Sequence, residues 1–259
     1  MPMTTRPLQN SRILGTRVDA TSYSDAAARI IDWTRTGEGR YVCCCNVHMV
    51  MEGYDDPAFR QVVNAADLVT PDGMPLVWGL RLSGLRNATR VDGSSLTLAV
   101  CETAAREGVS IGLYGGTEET IAAFTVFIKR RFPDLRIATA ISPAYGQLSA
   151  QEDAAHIEKL TAAGARIVFV ALGCPKQEKW MHAHRDHLPA VTLGVGAALD
   201  FHAGRIPRAP HWMQKSGLEW FFRLMLEPRR LWRRYFIHNP RFIGLLLLQL
   251  LRLRRFDES

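Results

Sequence analysis

The segment 167–180, Ile-Val-Phe-Val-Ala-Leu-Gly-Cys-Pro-Lys-Gln-Glu-Lys-Trp, restricts the possible folds of this chain more than any other stretch. Its first six residues form an unbroken apolar run rich in β-branched side chains. That is the pattern of a strand buried on both faces, as in a parallel sheet. Gly173 supplies a tight turn, and Pro175, with no N–H to lose, suits the first position of a helix. Lys176, Gln177 and Glu178 then fall in the first turn of that helix, at the carboxyl end of a central strand. Open α/β sheets bind ligands at such ends, and helix N-termini attract phosphate. Taken alone, the stretch is equally compatible with an ordinary strand–helix turn carrying solvated polar residues.

The same alternation runs through the chain. Strands are predicted at 41–45, 68–70, 109–114, 135–141 and 191–195. Helices are predicted from a Ser24 cap to about 33, at 57–65, from Pro75 onward, at 93–107 with Gly108 as C-cap, at 118–132, and from a Ser149 cap to about 163. This order gives an α/β fold, a mostly parallel sheet with helices on both faces. With 259 residues and 47% hydrophobic content, the chain can bury one large core. No linker or repeat interrupts it before residue 204, so residues 1–204 are read as one domain and 205–259 as a helical appendage.

Composition narrows the setting. The N-terminus lacks the apolar run of a signal peptide, and five cysteines without framework spacing point to a reducing cytoplasm. Cys43, Cys44 and Cys45 are consecutive in a predicted strand. Their side chains alternate between faces and cannot converge on one metal, so they read as small core residues. The net charge of +7 is unevenly spread: residues 204–256 carry +10 and the rest of the chain −3. A mildly acidic body with a strongly basic tail calls for a polyanionic partner, a membrane surface, nucleic acid or a phosphate-bearing substrate.

The usual nucleotide motifs are absent. No G-x-x-x-x-G-K-[ST] loop occurs, and Gly194-Val195-Gly196 fails the dinucleotide fingerprint because Leu199 stands at its last position. No Asp-x-Asp is present to hold a divalent metal on a sugar nucleotide. His182, His184 and His187 face one another only in part on a helix and read as a solvated surface. What remains is polar residues at strand ends. Asp72, between Pro71 and Pro75, sits on a stiff loop, where it is either a turn residue or a general base. Arg90 can pair with that carboxylate or bind phosphate, and Gly115-Gly116 would let backbone approach a nucleotide closely.

Several segments together resemble the WecG/TagA/CpsF family of bacterial glycosyltransferases, over about residues 12–242. They are Cys45-Asn46-Val47-His48-Met49, Ala66-Asp67-Leu68-Val69-Thr70-Pro71-Asp72-Gly73, Arg90-Val91-Asp92-Gly93 and Leu172-Gly173-Cys174-Pro175-Lys176-Gln177-Glu178. Gly194-Val195-Gly196 through Asp200, Arg208-Ala209-Pro210, Gly217-Leu218-Glu219-Trp220, Arg223 and Pro228-Arg229-Arg230 complete the set. The resemblance implies a Rossmann-like fold and an inverting, metal-independent transfer of a sugar from a UDP donor to a polyprenyl-pyrophosphate-linked saccharide. The setting it implies is cell-surface polysaccharide synthesis at the cytoplasmic face of the inner membrane, with the appendage peripheral to the bilayer and no cofactor.

Residue by residue, it implies Asp72 as catalytic base with Asn46 and Arg90 beside it in the sugar pocket. Gln177 and Lys176 would lie at the donor, Gly115-Gly116 near uridine, and Arg223, Arg230, Arg233 and Arg234 over the diphosphate. Two departures bear on which sugar is bound. Cys44 stands where family members often carry Thr, and Ser95 where Asp is frequent.

The appendage divides at Pro228. Leu218, Phe221, Phe222, Met225 and Leu226 give a first helix an apolar face, and Pro228 opens a second in which Arg230, Arg233 and Arg234 share a face. The apolar run 242–251 is too short to span a bilayer and is followed by Arg252, Arg254 and Arg255, which favours a helix lying in the interface. Two rivals remain, a non-enzymatic membrane-associated adaptor and a nucleic-acid-binding protein. The interleaved Leu and Trp rows favour membrane over nucleic acid. A homo-oligomer is compatible with the sequence.

Overall fold

Strands and helices follow the predicted alternation, with an added hairpin at the start and a helix over Val47–Asp55 that the sequence reading did not place. The computed structural model describes residues 7–144, 146, 148–254 and 256, without the side chains of Lys215 and Arg234. The first elements are β1 (Asn10–Ile13), β2 (Thr16–Asp19), α1 (Tyr23–Trp33), β3 (Arg40–Cys45), α2 (Val47–Asp55), α3 (Pro57–Asn64), β4 (Leu68–Pro71) and α4 (Met74–Leu82). The middle of the chain gives α5 (Gly93–Glu107), β5 (Ile111–Gly115), α6 (Glu118–Arg131), β6 (Ile137–Ile141), α7 (Ala150–Ala162), β7 (Ile167–Ala171) and α8 (Lys176–His184). The last are β8 (Val191–Gly194), α9 (Ala198–His202), α10 (His211–Lys215), α11 (Glu219–Leu226) and α12 (Pro228–Leu250).

Six strands pair in the order β4-β3-β8-β7-β5-β6, every pair parallel, as the buried apolar runs require. Each face of the sheet carries its own core. Tyr41, Cys43, Cys45, Val69, Tyr114, Val168 and Val170 point to one, with Met49, Phe59 and Met181 from the covering helices. Val42, Cys44, Leu68, Leu113, Ile167, Phe169 and Leu193 point to the other, with Ile30, Leu96 and Phe124. The three adjacent cysteines therefore alternate between faces, as expected, and all are buried.

Local caps explain where the helices start. Asp92, Thr117 and Ser149 cap α5, α6 and α7 through side-chain bonds to the backbone N–H three residues on, and Gly108 ends α5 in the left-handed region at φ 67°. One cap differs from expectation. Ser22, not Ser24, caps α1, because its Oγ accepts the Asp25 N–H and leaves Ser24 inside the first turn.

The C-terminal part packs against the body. Helix α12 is continuous from Pro228 through Pro240 and runs along α2. Helical periodicity places Phe242, Leu245, Leu246 and Gln249 on one side. Phe242 is 1% exposed, Leu245 and Leu246 pack against the same core, and Gln249 Oε1 accepts the Leu14 N–H at 2.9 Å. The opposite stripe, Trp232, Phe236, Ile243 and Leu247, is 48–66% exposed. The run expected to lie in an interface thus packs one side on the protein and leaves the other outward. None of α11 is buried. Among the described residues, no helix is long and apolar enough to cross a membrane.

If α12 belongs to the cooperative core, Phe242→Ala should lower the unfolding free energy by roughly 3–5 kcal/mol, whereas Ile243→Ala should change it by about 0.5 kcal/mol or less. Denaturant titration measures both. Equal, small losses would show that α12 is detached in solution.

Candidate active site

The loops at the carboxyl edge of β3 and β4 are laced together by backbone bonds. The Asp72 N–H donates to the Cys45 carbonyl at 2.7 Å, and the Val91 N–H donates to the Pro71 carbonyl at 3.0 Å. Thr70 Oγ1 donates to the Val91 carbonyl at 2.9 Å. Asn46 follows β3 directly and caps α2 by accepting the Met49 N–H at 3.2 Å. These bonds put Asn46, Asp72 and Arg90 on one rigid rim, as the sequence reading expected.

Arg90 is the centre of that rim. Its guanidinium lies 2.6 Å from Glu219, 3.6 Å from Asp72 and 3.9 Å from Asp92. Arg208 joins from the C-terminal side, donating to Asp92 and to Ser95 Oγ, both at 2.9 Å. The Tyr23 hydroxyl donates to Asp92 at 2.5 Å, and the Ser95 N–H donates to the same carboxylate at 2.9 Å. Two cations therefore face three carboxylates in a largely desolvated cluster, where one excess negative charge is expensive. The acidities divide accordingly. Burial dominates at Asp72 and lifts its carboxyl to about 7, opposed by Arg90 and reinforced by the charges of Asp92 and Glu219. Burial also works against the charge on Asp92. There Arg90, Arg208 and the Tyr23 hydroxyl outweigh it and hold the carboxyl below its usual range. Asp72 keeps 25% of its side chain open to solvent, so a reactant can reach it.

The other expected residues occupy neighbouring strand ends. Gly115 has φ 102°, and a Cβ there would sit 2.7 Å from the backbone of Ala171, so only glycine fits. Gly116 follows at φ 79°, its carbonyl accepting from Ser142 Oγ at 2.7 Å. Gln177 is buried. Its Oε1 accepts the N–H groups of Gly173 and Gly196, both at 3.2 Å, and its Nε2 donates to Glu178 at 2.7 Å. It thereby ties the loop after β7 to the loop after β8. Lys176 is exposed at the start of α8. Cys44 is 5% exposed, its Sγ 3.3 Å from where a Gly93 Cβ would stand, and burial with the Asp72 charge pushes its thiol up so that it stays protonated.

The appendage arginines divide. Arg223 lies over the Phe201 ring at 5.5 Å. Arg230 pairs with Glu227 at 2.8 Å, and Arg233 lies over Trp232 at 5.5 Å, contacts made near the start of α12. The side chain of Arg234 lies outside the described residues. His182 meets the Tyr41 hydroxyl at 3.1 Å and His184 meets Asp153 at 2.8 Å. Each thus has its own partner, and the two do not converge.

Glu219 and Arg208 stood in the family segments but were given no role at the site, and Tyr23 was not singled out. Glu219 and Arg90 are 129 positions apart, and no spacing rule joins them. The available signals were the family segments holding Arg208 and Glu219, and Glu219 as one of two acids, with Glu227, in a strongly basic stretch.

The cluster makes a titration prediction. Carbon-13 NMR of the carboxyl groups should show Asp72 titrating near pH 7, neutral below and charged above. Glu219→Gln removes a negative neighbour and frees Arg90, so the midpoint should fall. An Asp72 midpoint near the ordinary value of about 4 would contradict the described electrostatics.

Comparison with known proteins gives the family. The chain is 31% identical over 211 residues to an N-acetylglucosaminyldiphosphoundecaprenol N-acetyl-beta-D-mannosaminyltransferase of Bacillus spizizenii, covering 81% of this chain and 79% of the relative. It is 31% identical over 197 residues to the protein of the same name from Bacillus subtilis, covering 76% and 75%. The model of the Glycosyl transferase WecG/TagA/CpsF family matches residues 11–256. That match runs from the first strand of the hairpin to beyond α12, so the sheet and the C-terminal helices both fall within it, and the chain belongs to the WecG/TagA/CpsF family of glycosyltransferases.

Proposed function

We propose that this glycosyltransferase moves a hexose-type sugar (glucose, N-acetylmannosamine or its uronic acid) from a UDP donor to a polyprenyl-pyrophosphate-linked saccharide, with inversion and without a catalytic metal. One observation carries the reading: a carboxylate with acidity near neutrality, reachable from solvent, on a rigid loop at the ligand end of the sheet. The names of the Bacillus relatives support an acceptor of the diphosphoundecaprenol-sugar type.

In a single displacement, an acceptor hydroxyl attacks the anomeric carbon from the face opposite UDP. Its proton passes to the Asp72 carboxylate, and the electron pair of the breaking C–O bond leaves with the diphosphate. A positioned base contributes on the order of 10²–10⁴-fold. Arg90, already oriented by Asp92 and Glu219, faces the sugar beside Asn46. Charge developing on the leaving diphosphate would be met by appendage arginines and by the N-terminal N–H groups of α8. Gly115-Gly116 leaves room for uridine, and the loops that Gln177 joins form the floor of the donor site. Cys44 and Ser95 tune which sugar fits.

The outward stripe of Trp232, Phe236, Ile243 and Leu247, with exposed Arg229, Arg230 and Arg233 nearby, supports peripheral docking on the cytoplasmic face of the inner membrane. A lipid-linked acceptor would reach Asp72 from that surface.

Transfer should be assayed with UDP-sugars, a lipid-linked acceptor and excess EDTA. The wild-type protein should stay active, and Asp72→Asn should lose about 10²-fold or more in turnover with UDP binding nearly unchanged. Near-normal turnover of the variant would remove Asp72 as base, and complete loss in EDTA, restored by Mg²⁺ or Mn²⁺, would remove the metal-independent route.

A further inference from the structure

Away from the strand-end cluster, two histidines and a carboxylate converge where the C-terminal helix crosses the body. His48 and Glu52 are one turn apart on α2, so both side chains leave the same side of that helix. His238 reaches them from α12, 190 positions along the chain. One ligand atom from each of the three lies within 4.8 Å of the others, and all three residues are half-buried. His48 Nδ1 is 3.6 Å from Glu52 Oε1, and the two imidazoles meet edge to face with centroids 5.6 Å apart. His238 Nδ1 is buried, and among the described residues it has no hydrogen-bond partner.

We propose that His48, Glu52 and His238 form a binding site for a divalent transition ion, with Zn²⁺ the best fit, and that the ion clamps α12 to α2. Two imidazoles and one carboxylate are the donor set of three-ligand zinc sites, and the fourth position is left to water. Metal–ligand distances near 2.0–2.1 Å place the donors of a tetrahedral site about 3.3 Å apart. The ligand atoms start close enough that side-chain rotation closes the gap. A bound ion would also fill the coordination need of the buried His238 nitrogen, which otherwise costs free energy. Among the described residues, the cation one turn beyond His238, Arg241, is already paired with Asp55 at 2.5 Å.

The site is structural. Neither histidine nor Glu52 belongs to the Asp72–Arg90 cluster, and α12 is held independently by Phe242 and by Gln249 against the β1–β2 hairpin. Stripping the ion therefore leaves the protein folded, and a transfer assay in EDTA reads the chemistry at Asp72 and not this site. What the ion adds is a cross-link between residues far apart in sequence, which stabilises the folded state in proportion to its occupancy.

The test uses the full chain, stripped with EDTA and exchanged into chelator-free buffer. Zn²⁺ should bind with one equivalent per chain by calorimetry and raise the unfolding midpoint by several degrees. Co²⁺ in its place should give the intense visible absorption of a four-coordinate ion. His48→Ala and His238→Ala should each weaken binding by about 100-fold or more and abolish the shift, while His187→Ala, at an exposed position, should change neither. Should His238→Ala fold poorly by circular dichroism, His238→Gln and Glu52→Gln replace it in the same titration. Failure of the stripped protein to take up Zn²⁺ would overturn the proposal. So would undiminished uptake by both histidine variants, which puts the ion elsewhere. Loss with His48→Ala but not with the His238 variants would equally overturn it, because the ion would not bridge α12 to the body.

Discussion

The guanidinium of Arg90 is the point on which the charged rim at the carboxyl edge of β3 and β4 depends. It is 15% exposed and faces Asp72, Asp92 and Glu219, contributed by the loop after β4, the cap of α5 and the start of α11. At an effective dielectric near 20, a unit charge pair 4 Å apart is worth about 4 kcal/mol, so one cation cannot compensate three anions that also repel each other. Arg208 relieves Asp92, whose carboxyl is held below its usual range, while that of Asp72 is raised. An acidity near neutrality thus follows first from burial of the Asp72 carboxyl, is only partly offset by Arg90, and is reinforced by the charges of Asp92 and Glu219.

The same contact makes the C-terminal segment part of the site. Glu219 stands at the first residue of α11, a helix with no buried residue, so its ion pair is a polar tether where apolar packing is weak. Further along, α12 is anchored by Phe242 and Gln249 on its inner side and presents an apolar stripe on its outer side. A surface suited to a bilayer and a side chain that touches the charged rim are therefore joined through one short turn at Glu227 and Pro228.

Much of the body was legible in the sequence because parallel strands declare themselves as continuous apolar runs and helices by their caps. The run ending at Leu172, Gly108 and the Ser149 cap all read correctly. The alternation of Cys43, Cys44 and Cys45 between the two cores followed from the period of a strand alone. The hairpin at 10–19 escaped notice because its turn uses Leu14, a residue that rarely adopts a positive φ and here does so at 50°. Asp72 and Arg90 were visible as polar residues at strand ends. The pairing of Glu219 with Arg90 was not, since only tertiary packing brings them together. In the apolar run 242–251, composition reads as one surface, while the helical period splits it into an inward and an outward side.

A double-mutant cycle between Arg90 and Glu219 tests the central claim most directly, namely that the appendage completes the rim through this pair. Stability of the wild-type protein, Arg90→Met, Glu219→Gln and the double variant would be measured under one set of conditions. A half-buried pair at 2.6 Å should give a coupling energy of about 1–3 kcal/mol. Additive single effects, with coupling near zero, would mean that Glu219 does not engage Arg90 in solution and that the rim is complete without the appendage.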